Sequence, residues 1–171
     1  MTTWQKESYA AFMSTQTKVT SGTVGRQAAR HRVLRFKSRG ESLGLADSST
    51  TQLIQQIERG FSFDALERFV ANTGVSLFVL GSILGIPDRT LARRRSAGRL
   101  ASGESERLLR IANVFEKAVA MFDGDAESAV NWLTTPKKAL GGETPLLYSR
   151  TELGAREVEN LIGRVEHGVF S

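Results

Sequence analysis

The chain has 171 residues, a net charge of +5, no cysteine and two histidines. A chain of this length predicts one domain, or two small ones that share a core. The lack of cysteine excludes disulfides and thiolate chemistry, and two histidines argue against a zinc site, so we expect no metal and no cofactor. The longest apolar run, residues 75–86, is too short to cross a bilayer, and the first residues lack the apolar core of a secretory signal. These features predict a cytoplasmic protein without a membrane partner.

Basic residues concentrate in two stretches of the chain. Residues 1–40 hold eight lysines and arginines against Glu7, and residues 87–99 hold five arginines against Asp88. The stretches 41–86 and 100–171 are mildly acidic. This segregation predicts one part that binds a polyanion and another part with a different partner. The alternative is that the basic stretches are ordinary solvated surface.

Residues 1–48 are predicted to form a basic N-terminal arm. We expect a short helix over residues 4–13 and a weakly amphipathic, basic helix over residues 23–37. Alone, such a helix is marginal in water. Residues 40–49 have the composition of a linker.

From Thr50 onward, capping residues and glycines alternate regularly with apolar stretches of helical period. Ser62, Ser76, Asp88 and Ser102 are predicted N-caps, and Thr151 is predicted to open the last helix. The predicted helices cover residues 51–59, 63–72, 77–84, 89–97, 104–122, 125–133 and a segment from residue 151. With no convincing strand run, the sequence predicts an all-α fold.

Residues 75–99 have the pattern of a helix-turn-helix. The first helix needs a small residue where the second crosses it, and Gly81 provides one. The turn needs a residue that tolerates a left-handed backbone, and Gly85 provides it. We expect Leu84, Ile86 and Leu91 to form the small core between the two helices.

The second helix of this motif is predicted to contact DNA. Arginine can bind guanine bidentately or grip phosphate, and threonine can bond to phosphate. The predicted DNA-binding residues are Arg89, Thr90, Arg93, Arg94, Arg95 and Arg99. Arg94 and Arg95 occupy positions where many such motifs keep an apolar residue. The alternative is a helical hairpin whose arginines face solvent or pair with acids elsewhere in the chain.

Several motifs in a fixed order carry a resemblance to a known family. They are GIPDRTLARR at residues 85–94, RLASGESERLLRIA at 99–112, AVNWL at 129–133, ALGGETPL at 139–146, TELGAREV at 151–158 and GRVEHGVFS at 163–171. Over residues 50–171 the chain closely resembles the Xre/MbcA/ParS antitoxin family. The resemblance implies a helix-turn-helix domain at residues 49–100 and a C-terminal helical toxin-binding domain at 101–171, preceded by the arm.

The resemblance also implies partners and a mode of action. The helix-turn-helix would bind promoter DNA of its own operon, and the C-terminal domain would bind and silence a RES-domain toxin. Such toxins consume NAD, by hydrolysis or by transfer of ADP-ribose. Family members are similar to one another in forming homodimers and in blocking the toxin's NAD pocket with their C-terminal region. His167 departs from the family pattern, in which a tyrosine is more frequent.

The candidate toxin-binding residues lie in one apolar loop and in the tail. Exposed leucines in the loop at 140–147 would form an interaction patch, and apolar residues after Gly168 have little chain left to cover them. The predicted residues are Leu140, Pro145, Leu146, Leu147, Arg164, Glu166, His167, Val169, Phe170 and Ser171. The alternatives are that the leucines plug the core beneath the loop and that the tail frays.

Two other functions are alternatives to an antitoxin. A helix-turn-helix repressor without a toxin partner would not need the acidic, apolar C-terminal half. Enzyme activity is not expected, because paired carboxylates such as Glu157 and Glu159 point to different helix faces and no nucleophile–base pair is evident. A homodimer is predicted because the helix over residues 104–122 carries extra apolar residues, Leu109, Val114 and Met121, beyond one stripe.

Overall fold

The computed structural model describes residues 33–45, 48–166 and 168. This part contains eight α-helices and two 3₁₀ turns, Glu41–Leu43 and Lys138–Leu140. The helices are α1 (Thr50–Arg59), α2 (Phe63–Thr73), α3 (Leu77–Ile83), α4 (Asp88–Ala97), α5 (Ser102–Met121), α6 (Ala126–Thr134), α7 (Pro145–Tyr148) and α8 (Glu152–Glu166). Among the described residues there is no β-strand, only two isolated bridges. The predicted all-α fold is confirmed.

The long helix α5 runs through the middle of the hydrophobic core. Helix α1 and the turn Glu41–Leu43 pack on it, and so do α6 and α8. Phe115 of α5 is fully buried and meets Phe69 of α2 edge-to-face, with ring centroids 5.4 Å apart. Apolar burial on this scale is the main stabilising term of the fold. One core cluster therefore extends from Leu43 to Ile162.

The extra apolar residues of α5 pack within the chain, Val114 in full and Leu109 and Met121 in part. Val114 is fully buried, and Leu109 and Met121 pack against the core. A Cβ at Gly40 would lie 3.2 Å from Cδ1 of Leu109, so the segment before α1 covers that side chain. The apolar face that motivated the predicted homodimer is thus used for intramolecular packing.

Helix starts differ in detail from the predicted caps. The Ser76 side chain caps α3 as predicted, accepting from the amide of Val79. Ser62 stands at the N-cap of α2, but its side chain makes no capping bond. Asp88 and Ser102 were wrongly predicted as N-caps, because α4 and α5 begin at these residues. Their N-caps are Pro87 and Ala101.

The structure of residues 33–45, here called the strap, differs from two predictions. The basic helix predicted over residues 23–37 does not extend into residues 33–37, which run without helix; residues 23–32 lie outside the described part. The linker predicted over residues 40–49 is wrong at its start, because Leu43 and Ser42 are buried. The predicted helix over residues 4–13 also lies outside the described residues.

Buried Glu116 of α5 anchors the strap. Its Oε1 accepts from the amide and hydroxyl of Ser42, at 2.8 and 2.6 Å, and its Oε2 accepts from the amide of Gly40 at 3.1 Å. At the strap's other end, the amide of Leu34 donates to the carbonyl of Gly124 at 2.8 Å. The strap is thereby fixed to the core by hydrogen bonds to groups far along the chain.

No helix of the described part is both long enough and apolar enough to span a bilayer.

Candidate functional site

Helices α3 and α4 form the predicted helix-turn-helix. A Cβ at Gly81 would lie 3.2 Å from Cδ2 of Leu91, so a small residue is needed where the helices meet. Gly85 in the turn has φ of 67°, a left-handed conformation that glycine adopts without strain. The amide of Ile86 donates to the carbonyl of Gly81 at 2.8 Å and closes the turn. The packing predicted for this motif is confirmed.

Two arginines project from the outer face of α4. This helix, which is described in full, buries Leu91 alone. Arg89 and Arg93 are exposed, and among the described residues no hydrogen bond or ion pair engages either side chain. Thr90 is half-buried beside them. Arg89 and Arg93 are therefore available to an external polyanion.

Arg94 has a partner inside the chain. Its Nε lies 2.8 Å from Oε2 of Glu104 and its Nη2 lies 3.1 Å from Oε1, which makes a two-pronged ion pair. The Arg94 side chain is 26% exposed and that of Glu104 is 9% exposed. The alternative that arginines pair with acids elsewhere in the chain therefore applies to Arg94.

Arg95 and Arg99 are engaged as well. Nη2 of Arg95 lies 2.6 Å from Oε1 of Glu67, and its guanidinium carbon lies 5.7 Å from the ring centroid of Phe63. Nη1 of Arg99 donates to the carbonyl of Gly60 at 2.8 Å. Both arginines belong to exposed positions, where such contacts contribute little and exchange readily with solvent.

Helix α5 holds the helix-turn-helix at two points. Nε of Arg107 donates to the carbonyl of Leu84 in the turn at 2.7 Å. Glu104 binds Arg94 of α4, and its Oε2 also accepts from the amide of Ala101 at 2.7 Å. That second bond satisfies a donor at the start of α5. Neither contact was predicted from the sequence, because both link residues whose spacing carries no periodic signal.

The apolar loop at residues 140–147 faces inward. Leu140 and Leu146 are buried with Pro145, and Leu147 is half-buried against the core. Thr144 caps α7 by accepting from the amide of Leu147, and Pro145 occupies the first turn. The prediction of an exposed leucine patch is wrong, because these leucines pack into the core beneath the loop.

Leu153 is an exposed apolar side chain that was not predicted as a candidate from the sequence. It lies in the first turn of α8 and is 80% exposed. The signal was available, because Leu153 falls outside the inward stripe that Ala155, Val158 and Ile162 form at helical spacing. An exposed leucine of this kind is a candidate contact for a partner protein.

The C-terminal end of α8 carries the remaining described candidates. Nη2 of Arg164 lies 3.0 Å from Oε1 of Glu157, and Glu166 is exposed in the last turn. His167, Val169, Phe170 and Ser171 lie outside the described residues.

A polar groove of about 610 Å³ lies between the strap, α5 and α8. Its charged side chains are largely paired: Arg110 lies 3.0 Å from Glu152, and Lys117 lies 2.7 Å from Glu159. Hydrogen bonds from Arg110 and Arg156 hold the pKa of Glu152 below its usual range. Within the described residues there is no group of three His, Cys, Asp or Glu side chains suited to a metal.

Two family models match the two parts of this architecture. Residues 52–113 match the antitoxin Xre-like helix-turn-helix domain. Residues 117–168 match the antitoxin Xre/MbcA/ParS C-terminal toxin-binding domain. A helix-turn-helix joined through one long helix to a toxin-binding domain defines the chain as an antitoxin.

Similar proteins place the chain more closely. An "Antitoxin Xre" of Yersinia enterocolitica is 42% identical over 130 residues, which are 75% of this chain and 88% of that protein. An "Antitoxin Xre" of Photorhabdus laumondii is 43% identical over 56% of this chain and 68% of its own length. A "Prs ADP-ribosylating antitoxin" of a Sphingobium species is 25% identical over 72% of this chain and 84% of its own length. The chain belongs to the Xre antitoxin family.

Proposed function

We propose that the protein neutralises a RES-domain toxin that consumes NAD, and that its helix-turn-helix binds promoter DNA of its own operon. The observation that carries this proposal is the match of residues 117–168 to a toxin-binding domain, next to a helix-turn-helix that projects Arg89 and Arg93. The protein acts by binding, as a cytoplasmic antitoxin without enzymatic activity. The toxin's reaction is hydrolysis of NAD or transfer of its ADP-ribose.

The toxin-binding surface is proposed to include Leu153 and the C-terminal end of α8. Leu153 is 80% exposed in the part of the chain that matches the toxin-binding domain. Burying a leucine in an interface contributes about 1.5–3 kcal/mol. Arg164 and Glu166 supply charge at the end of the same helix.

A matched pair of variants tests this surface. Leu153→Glu should weaken toxin binding at least tenfold, because a charged side chain at the contact must be desolvated. Ile54→Glu places the same charge at a 51% exposed apolar position on α1, in the helix-turn-helix part, and should leave toxin binding unchanged. The measurement is the affinity of purified toxin for each variant by calorimetry. Equal affinity of Leu153→Glu and the unaltered protein would remove Leu153 from the surface.

The tail is proposed to block the toxin's active site. Phe170 has an aromatic ring that can be buried in a nucleotide-base pocket. Deleting residues 169–171 should reduce inhibition of NAD consumption more than it reduces toxin binding. Equal inhibition by the full-length and shortened proteins at saturating concentration would place the block elsewhere.

DNA binding through Arg89 and Arg93 is tested by its salt dependence. Each phosphate contact contributes roughly −0.9 to the slope of log K against log salt. Replacing both arginines by alanine should weaken promoter binding at least tenfold and flatten the slope, with toxin binding retained. The control is Arg156→Ala, which removes an exposed arginine of α8. An unchanged affinity and slope in the double variant would contradict the proposal.

Homodimer formation remains a prediction that rests on the family resemblance. Sedimentation equilibrium at micromolar concentration should give twice the 18.7 kDa chain mass. A single 18.7 kDa species would contradict it.

A further inference from the structure

Helix α4 is attached to the rest of the protein by an unusually charged face. Leu91 is its buried apolar residue, and the positions three and four residues further along that face hold Arg94 and Arg95. Each of these arginines meets a carboxylate, Glu104 or Glu67. Ion pairs therefore occupy positions where a helix of this kind would bury apolar side chains.

The two ion pairs differ in burial and geometry. Arg94 donates to both carboxylate oxygens of Glu104, and the pair is largely shielded from water, with 26% and 9% of the side chains exposed. Arg95 and Glu67 are 63% and 43% exposed. An exposed pair contributes little, whereas breaking a shielded pair leaves an uncompensated charge. The Arg94–Glu104 contact is therefore the electrostatic contact that fixes α4.

Glu104 is itself fixed to the start of α5. Its Oε2 accepts from the amide of Ala101, which holds the carboxylate in one orientation. One turn later, Arg107 donates to the carbonyl of Leu84 in the turn between α3 and α4. Helix α5 thus forms hydrogen bonds with both the turn and the C-terminal half of α4.

We infer that Glu104, acting through Arg94, is a positioning residue for DNA binding and that Arg94 does not itself contact DNA. The pair sets the orientation of α4, and this orientation determines where Arg89 and Arg93 meet the duplex. The inference rests on the proposed promoter binding and assigns Arg93 and Arg94, neighbours in sequence, opposite roles.

Neutralising Glu104 gives a test in which electrostatics and positioning predict opposite results. Removing a negative charge close to DNA should by itself strengthen binding, because repulsion with the phosphates is lost. If Glu104 positions α4, Glu104→Gln should instead weaken promoter binding at least tenfold. Glu67→Gln removes the same charge from the exposed pair and should leave binding unchanged or strengthen it.

The arginines are compared through the salt slope of promoter binding. Arg93→Gln should weaken binding and reduce the slope by about 0.9, as loss of one phosphate contact does. Arg94→Gln should weaken binding with the slope retained. The Glu104→Gln, Arg94→Gln double variant should be no weaker than either single variant, since both changes break one contact. A reduced slope for Arg94→Gln, together with unchanged or tighter binding by Glu104→Gln, would overturn the inference.

Amide hydrogen exchange tests the positioning role without DNA. In Glu104→Gln, protection of the α4 amides should fall, while protection in α8 is retained. Unchanged protection in α4 would overturn the inference whether or not DNA binds. If the unaltered protein fails to bind its promoter, the proposed DNA-binding function is wrong, while the exchange result still decides whether Glu104 fixes α4.

Discussion

Glu116 shows how one side chain determines whether a polar segment joins the core. It accepts hydrogen bonds from two strap amides and one hydroxyl, at 2.6 to 3.1 Å. Buried donors that lose a charged acceptor each cost about 1–3 kcal/mol. Glu116→Ala should therefore lower the free energy of unfolding by about 2–4 kcal/mol, measured by urea denaturation.

Glu159, a partly exposed carboxylate in the neighbouring groove, provides the control for this prediction. Glu159 pairs with Lys117, which is half exposed, and exposed pairs contribute about 0–1 kcal/mol. Glu159→Ala should therefore change stability by less than about 1 kcal/mol. Similar losses for Glu116→Ala and Glu159→Ala would mean that the strap contact does not stabilise the fold.

Burial also makes the contribution of Glu116 to folding stability depend on pH. Desolvation raises its pKa above the ordinary value of 4.5 and outweighs the hydrogen bonds from Ser42 and Gly40, which lower it. A carboxyl whose folded-state pKa is raised contributes stability that is present below the unfolded-state pKa and is lost as pH rises through the folded-state pKa. The stability of the unaltered protein relative to Glu116→Gln should therefore fall as pH rises above about 4.5. A constant difference between the two proteins over this range would contradict the prediction.

Among the elements, α3 and α4 could be predicted because their signals are local. Gly81 and Gly85 stand where the helix crossing and the turn require them, and both requirements appear within a few residues of sequence. The capping errors at Asp88 and Ser102 are small shifts of one residue. The inward packing of Arg94 could not be predicted, because its partner lies ten residues away on another helix.

Substitutions at glycines test how the helices pack, and the structure predicts a loss of stability at two of them. A Cβ at Gly81 already meets Leu91 at 3.2 Å, so Gly81→Val should overpack the helix crossing and cost about 1–3 kcal/mol. Gly85→Ala places a side chain at a φ of 67° and should cost about 1–2 kcal/mol. Thermal unfolding of the purified variants measures both losses.

Gly163 is the matched control within a helix. It lies in α8, and among the described residues no atom beyond its chain neighbours and the backbone of its own helix lies within 4 Å of a Cβ built there. Gly163→Ala should therefore stabilise the protein by about 0.5–1 kcal/mol, because alanine is the better helix former. A loss of stability in this variant would indicate that packing against α8 differs from the structure described.

The strap shows what sequence patterns leave out. Residues 40–49 are rich in glycine and serine, so this part of the sequence resembles a linker. The partner carboxylate lies 74 to 76 residues further along the chain. A contact of this range becomes predictable only when the position of α5 is known.

At the scale of the whole molecule, the single helix α5 connects the helix-turn-helix domain with the toxin-binding domain. Residues 52–113 and 117–168 match separate family models; the first match ends within this helix and the second begins within it. Its first turns hold the helix-turn-helix, while α6 and α8 pack along it. The predicted boundary at residue 100 stays a prediction, and the shared helix explains why the two parts have one core.

The strap is predicted to contribute to the free energy of unfolding of this shared core. A chain that begins at residue 46 lacks buried Leu43 and leaves Glu116 without the strap donors, compared with a chain that begins at residue 33. Burying one leucine contributes about 1.5–3 kcal/mol, and each lost bond to the carboxylate adds to this. The shorter chain should therefore be less stable by at least about 3 kcal/mol in urea denaturation.

The same pair of chains shows whether Glu116 acts through the strap. In the chain that begins at residue 33, Glu116→Ala should be strongly destabilising because it orphans the amides of Gly40 and Ser42. In the chain that begins at residue 46 these donors are absent, so the same substitution should have little effect or stabilise the protein. Residues that act through one contact give such non-additive effects. Equal losses in the two chains would mean that Glu116 stabilises α5 directly and that the strap is a passive covering.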